Sequence, residues 1–455
     1  MELLDKRLWP VFEKITLRIK EKQTLSLRKL SNARKEEVQF GRFVANQKVT
    51  VELLESELYS NMRSHCNSSH CLLIEDTSQV GFSLHRDIKD LGKVDKGQIK
   101  GFYIHPVLAI DAENYACHGI ASLEFITRSW EDEKRTRKEL NNERSKIVFE
   151  QKESFRWFSS IKKALPQCSA VPFKTVVADR EADIYPLLSG LKEELEVDYV
   201  IRSRFNRPTK GGETILNEVG DWSVEDCYDL QVPATDKRSS HVAKMTVKFG
   251  SVLIKKSEGK SAKVLPSYHL SYVVEVKELS ESVVNNEQPI HWVLLTSHVI
   301  KDSVMALQIV EWYKQRWNIE QIFRTLKNKG LKIESSQLED YNKLQKITIL
   351  ALIASVKVMQ LIRARHGKTQ QKLLSVFNKE EQECIVLLNK HLEGKTEKLK
   401  NPYLKDSLAY AVWVIARLSG WSGYESQRPP GPIDFLTGLQ RFTERFEGFM
   451  LAKMT

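Results

Sequence analysis

Two apolar runs in this chain each stop on an aspartate, and the elements between them limit the folds available. "CLLIEDTS" is apolar from Cys71 and ends at Asp76. "FKTVVADREADIYPLL" carries a strand of five or six residues that ends at Asp179, followed by a helix. Between the two, "GFYIHPVLAIDA" and "YACHGIASLEFITR" read as strands, with a hairpin turn at Asp111–Asn114. A charged stretch from Trp130 to Arg144 then leads into a helix, "SKIVFEQKESFRWFSSIKKAL". "VDYVIRSRF" is a further strand. Three strands in succession, then helix, strand, helix, strand, describe an α/β chain with a mixed sheet and helices on both faces.

That is the element order of the ribonuclease-H-like fold. The expected layout has a small, basic helical segment over 1–68, which fits a DNA-binding domain or, equally, a helical cap on the next domain. A ribonuclease-H-like catalytic domain is built from 69–206 and 291–366, interrupted by a β-rich insertion over 207–290. A helical C-terminal region covers 367–455. In the first segment, Leu8, Val11, Phe12, Ile15 and Ile19 form an apolar stripe on a strongly basic helix, and Thr50 is placed to cap a later one. In the insertion, "HVAKMTVKFGSVLIKK" and "YHLSYVVEVKEL" are the clearest strands. "IHWVLLTSHV" is one more strand, delivering the chain into the next helix.

Composition narrows the partners. Among 455 residues, 70 Lys and Arg face 59 acids, a formal charge of +11 spread along the chain. That excess suits a polyanion such as DNA. No secretory leader is evident, and six cysteines make no disulfide framework, which points to a reducing cytoplasm. "HCNSSHC" brings His65, Cys66, His70 and Cys71 close in sequence. Zinc needs ligands that converge; no second cluster completes a set and Cys71 opens an apolar strand, so no zinc site is expected here. The most apolar run, "ITILALIASVKVMQLI", holds Lys357 and reads as a buried helix rather than a membrane span.

The segment "YKQRWNIEQIFRTLK" lies in a stretch free of Pro and Gly from Met305 to Asn328 and reads as one helix. At roughly 100° per residue, Tyr313, Arg316, Glu320 and Lys327 share a stripe beside an apolar sector. A solvated face with an Arg–Glu pair four residues apart explains that stripe by itself. The two strand-end aspartates suggest more. Carboxylates on adjacent strand ends can share hard cations, and Glu320 would supply a third. Two divalent ions roughly 3.5–4 Å apart can activate a water and stabilise a leaving oxygen in phosphodiester displacement. The cations around Glu320 would then hold phosphate.

Several blocks together resemble the IS-four family of bacterial DDE transposases. The spacing Tyr313-x2-Arg316-x3-Glu320-x6-Lys327 is similar to that family's YREK signature. "IEDTS" and "ADREADIY" are similar to the blocks around its two aspartates, and "KGQIKGFYIHPVLAI", "LAYAVWVIARLSGW" and "PPGPIDFLTGLQRF" to other blocks in the same order. The resemblance implies a cut-and-paste transposase of the bacterial cytoplasm, associated with the nucleoid. It implies Asp76, Asp179 and Glu320 as catalytic metal ligands for Mg²⁺ (Mn²⁺ as substitute), two ions per site. Tyr313, Arg316 and Lys327 would contact DNA. Trp292 would stack a flipped base during hairpin formation, and Arg202 and Arg204 would lie near the DNA end. Lys93, Lys96 and Lys100 are weaker phosphate candidates. Expected partners are double-stranded DNA, as transposon ends and target, and a second copy of the chain on paired ends; no membrane is expected.

Two other readings remain open. A stand-alone ribonuclease-H-like nuclease explains the three acids but not the helical extensions. A catalytically inactive transposase-derived DNA-binding protein would have lost an acid, and all three are present. At the C-terminus, Phe435, Leu439, Phe442, Phe446 and Phe449 recur at spacings of four and three, a seam of coiled-coil type; a helix so short can pack on its own domain, and the family resemblance favours pairing of two protomers through it.

Overall fold

In the computed structural model, residues 5–64, 66–84, 86–94, 99–128, 146–234, 238–256, 265–327, 330–424 and 427–454 are described. The charged stretch Trp130–Arg144, His65 and Lys96 lie outside them. The strands are β1 (His70–Glu75), β2 (Ser78–Phe82), β3 (Gly92–Val94), β4 (Ile99–Asp111), β5 (Cys117–Ile126), β6 (Phe173–Ala178), β7 (Asp198–Arg202), β8 (Asp226–Val232), β9 (His241–Lys255), β10 (Tyr268–Glu278) and β11 (His291–Thr296). All join one sheet. Its main path runs β2-β4-β1-β6-β7-β11-β10-β9-β8, with β3 and β5 paired to β4.

The centre of this sheet is mixed. β5, β4 and β1 are antiparallel neighbours, whereas β1, β6 and β7 run parallel. The parallel connections need crossovers, which the helices Arg156–Ala164 and Tyr185–Glu193 supply. The order β5-β4-β1-β6-β7 is consistent with a ribonuclease-H-like transposase domain. The β4–β5 turn forms as its sequence suggests, because Asp111 Oδ1 accepts from the N–H groups of Glu113 and Asn114. Beyond β11, strands β10, β9 and β8 extend the same sheet by antiparallel pairing.

Side chains alternate across the sheet and sort into two cores. Leu72, Ile74, Val177, Val200 and Leu294 face one core, shared with Ile319, Ile322 and much of the Tyr341–Ala364 helix. Cys71, Leu73, Val176, Ala178, Tyr199 and Ile201 face the other, against Trp157 and Leu188. The helix Tyr341–Ala364 is long and apolar enough to cross a membrane, but it is mostly buried inside the protein. The N-terminal helices Trp9–Lys22, Arg34–Ala45 and Val51–Arg63 pack on the first core, and Thr50 caps the last of these by accepting from Leu53 N (3.1 Å).

Three expectations need correction. The one helix expected over 145–165 is interrupted: among the described residues, two 3₁₀ turns, Phe149–Gln151 and Glu153–Phe155, precede the helix Arg156–Ala164, and Ser145 lies outside them. The single helix expected across Met305–Asn328 is two, Ser303–Lys314 and Trp317–Leu326. At the junction the backbone tightens to i→i+3 bonds, from Arg316 N to Tyr313 O (3.0 Å) and from Ile319 N to Arg316 O (3.1 Å). Asn318 Nδ2 donates to Gln315 O (2.7 Å), competing with the helical ladder for that carbonyl.

The third correction concerns the C-terminal seam. The helix Pro432–Met454 turns Phe435, Leu439 and Phe442 into the chain's own core, with Phe446 and Phe449 packed at its edge. The Phe442 ring meets Phe377 edge-on at 5.7 Å. Gly438 lets this helix approach closely, since a Cβ there would lie 2.1 Å from Ile415 O. The apolar seam is therefore spent within the protomer. Phe435→Ala is expected to cost about 3–5 kcal/mol, read as a lowered thermal midpoint. An unchanged midpoint would show that the helix is only loosely attached.

Candidate active site

Strand parity places the candidate residues. β1 and β6 pair in parallel with Ile74 opposite Val177, so the register continues to set Asp76 beside Asp179. Asp76 shares the parity of Leu72 and Ile74, and Asp179 that of Val177. Both therefore leave the strand ends on the face covered by the helix Trp317–Leu326. Arg202 follows Val200, and Trp292 precedes Leu294, so these two belong to the same face.

Arg316 is the hub. Its guanidinium donates to Asp76 Oδ2 (3.2 Å) and to Glu320 Oε1. Burial pushes the Asp76 carboxyl up to about 6; Arg316 opposes the rise, while Asp179 and Glu320 add to it. Asp76 thus feels both of the other acids. The Tyr313 hydroxyl is also pushed up by burial, and Arg316 and Arg202 stand beside it. Trp292 meets the Tyr313 ring edge-on at 5.5 Å. Arg202 Nη2 also donates to His291 O (3.1 Å).

Asp179 caps the 3₁₀ turn Arg180–Ala182 by accepting from Glu181 N (2.7 Å). Asp76 Oδ1 accepts from Thr77 N (2.7 Å). The carboxylates do not meet at a single point. Among the described residues, the one cluster whose ligand atoms all lie within 4.8 Å is elsewhere, and Arg316 stands between Asp76 and Glu320.

Two candidates sit apart. Lys327 follows the last turn of its helix in an extended conformation, where burial lowers its ammonium pKa and Glu334 opposes that shift. It does not continue the Tyr313–Arg316–Glu320 stripe. Arg204 is exposed, its guanidinium 5.4 Å from the Phe205 ring centre, and its backbone N–H donates to Asp183 Oδ2 (2.7 Å). Of the weaker lysines, Lys100 donates to Arg86 O (3.3 Å), and Lys93 lies on β3 across from it.

The fold adds residues that no local pattern marks. Arg156 Nε donates to Thr77 Oγ1 (3.1 Å), and its Nη2 lies 3.7 Å from Glu181 Oε2. It is therefore a cation beside both aspartate-bearing strand ends. Behind it runs a buried relay. Thr77 Oγ1 is 2.8 Å from His105 Nδ1, His105 Nε2 is 3.2 Å from Glu75 Oε2, and Ser160 Oγ donates to the same oxygen (2.7 Å). Burial drives Glu75 well above the usual carboxylic range and His105 well below the usual imidazole range. The relay is thus neutral and holds the strand end from below. Its one sequence signal is parity, which points Glu75 away from Asp76 into the opposite core.

Residues 160–357 match the family model of the transposase DDE domain. The match contains Asp179, Trp292, Arg316 and Glu320, and begins after Asp76. This match, laid over the mixed sheet and the clustered acids, supports a DDE-family transposase.

Proposed function

We propose that this chain is a cut-and-paste DNA transposase of the IS-four type, with Asp76, Asp179 and Glu320 as its catalytic acids. The observation that carries the reading is the register of β1 and β6, with Glu320 tied to Asp76 through Arg316. The donor set fits hard divalent ions such as Mg²⁺ or Mn²⁺, because it is all carboxylate and its members raise the Asp76 pKa. Bound ions of this kind activate water or a 3′-hydroxyl and stabilise the departing oxygen.

The chain's own residues do the rest. Arg316 gives up its contact with Asp76 or Glu320 and turns to a phosphate oxygen, where a charge-assisted bond is strong. Arg156 and Arg202 flank the strand ends and hold the DNA backbone on either side. Trp292, half-buried against Tyr313, offers a flat ring to an unstacked base. Lys327 and Arg204 lie further out and grip flanking phosphate. The formal charge of +11 favours the encounter. A second copy on paired ends completes the reading, with its contact outside the buried Phe435–Phe442 seam.

The test is cleavage of a duplex carrying the element's terminal inverted repeat. Mg²⁺ or Mn²⁺ should support a nick, a hairpin and its reopening, whereas Ca²⁺ should permit binding with little cutting. Absence of end-specific cleavage under all three ions would reject the reading. In the same assay Trp292→Ala should form the first nick at the wild-type rate. Hairpin formation should slow about tenfold or more, because base stacking is worth about 1–3 kcal/mol. Equal slowing of the nick would make Trp292 a packing residue only.

A further inference from the structure

Three of the six cysteines meet away from the candidate active site. Cys66 follows the Val51–Arg63 helix, Cys71 is the second residue of β1, and Cys168 ends the 3₁₀ turn Leu165–Cys168. All three are buried. The Cys66 and Cys71 sulfurs and a ring nitrogen of His118, on β5, lie within 4.8 Å of one another. The Cys168 thiol hydrogen-bonds with both Cys66 and Cys71. Three sulfurs and one imidazole thus converge from four separate chain segments.

The geometry points to a structural Zn²⁺ site formed by Cys66, Cys71, Cys168 and His118. With a Zn–S bond of about 2.3 Å, a tetrahedron sets sulfurs about 3.8 Å apart, so Cys66, Cys71 and His118 need only small movements, and Cys168, which lies outside their 4.8 Å group, closes on it as the fourth ligand. Soft thiolates with one imidazole select zinc over hard ions. Four protein ligands and full burial leave no open coordination position, which marks a structural site rather than a catalytic one. His118 Nε2 lies 3.2 Å from Ser68 Oγ. With Nε2 donating to that hydroxyl, Nδ1 carries the lone pair, and the ring is oriented as in other metal-bound histidines.

The local sequence hides this set. Among the described residues of "HCNSSHC", the two cysteines take part. His70 turns away, its Nε2 2.8 Å from Thr175 Oγ1 and its ring 4.9 Å from Trp312. The completing ligands come from β5 and from the end of the helix before β6. Zinc there would pin the exit of the N-terminal helices to the strand that carries Asp76. Three buried thiols can also serve as small apolar side chains, or two of them can oxidise to a disulfide.

Elemental analysis of the reduced, full-length protein, grown with zinc, separates these outcomes. About one equivalent of zinc per chain is expected, falling below about a tenth in Cys71→Ser, Cys168→Ser and His118→Ala. His118→Cys should retain it, and so should Cys117→Ser, which changes a buried cysteine outside the set. Should the serine variants fail to fold, the wild-type protein still decides. Exchange with Co²⁺ should give the thiolate-to-metal charge-transfer absorption of a tetrahedral cysteine site. Wild-type protein that holds less than about a tenth of an equivalent and shows no such band overturns the proposal, as does a disulfide found between any two of the three under reducing conditions.

Discussion

Asp179→Asn should lower strand cleavage at least about a thousandfold while leaving DNA binding within a few-fold of wild type. Three orders of magnitude correspond to about 4 kcal/mol of transition-state stabilisation, in the range that a metal ligand supplies. Asparagine is the better probe than alanine here. Asp179 also caps its 3₁₀ turn through Glu181 N, and Asn can accept that bond while losing the charge. Glu320→Gln should behave alike and also loosen Arg316, whose guanidinium would keep only Asp76 as a paired carboxylate. Asp76→Asn removes the acid that faces both of the others. Cleavage is read on a labelled end-containing duplex and binding by gel shift. Cutting that survives any one of the three changes would remove that residue from the catalytic set. Loss of binding in parallel with cutting would point to a structural role.

Glu75→Ala should be the most damaging change behind the site, at about 3 kcal/mol or more. It strips the partner from His105 Nε2 and Ser160 Oγ in a fully buried place and opens a cavity. Glu75→Gln keeps the accepting oxygen and should cost much less. The pH dependence has a definite sign. Burial raises the folded-state pKa of Glu75, so the native chain retains a proton that the unfolded chain releases. Its contribution is fully present below the unfolded value of about 4.3 and is lost as pH rises through the folded value, by about 1.4 kcal/mol per pH unit between the two. His105 is lowered, so its contribution is present above about 6.5 and fades as pH falls below that. His105 is common to wild type and Glu75→Gln and cancels in their difference. The stability of wild type relative to Glu75→Gln should therefore decline as pH rises above about 4.3, measured by thermal melts across pH. A flat difference would mean that Glu75 is ionised in the folded protein. Arg156→Ala should share the functional part of the Glu75→Ala defect, since Thr77 links the relay to Arg156 and to the strand end.

The sequence by itself determined strands β1, β4 to β7 and β9 to β11 and their two faces, but left the short β2 and β3 and the half-exposed β8 unmarked. Apolar alternation is a short-range signal, and it carries parity with it. Once β1 and β6 are parallel neighbours, Asp76 and Asp179 must leave the sheet together on the side of Glu320, and Glu75 must point the other way. Asp111 and Thr50 were equally legible, because a turn and a helix cap are made by residues within three positions of one another. What only the tertiary structure decided depends on contacts between distant segments. The helix carrying Glu320 breaks at Gln315 and Arg316 because a side-chain amide takes a backbone carbonyl, a competition that propensities do not register. The aromatic repeat from Phe435 reads the same whether it faces a second chain or its own core. Here the approach permitted by Gly438, and the apolar surface of the Leu408–Ser419 helix beneath it, turn it inward. Arg156 reaches the strand ends from an element with no motif of its own, and His105 from a block of β4 whose sequence gives no sign of the relay. Cys66 and Cys71 find Cys168 and His118 only because the sheet brings β1, β5 and the turn before β6 to one edge of the second core. Spacing along a chain records neighbours within an element; a site assembled from four elements exists only after they have packed.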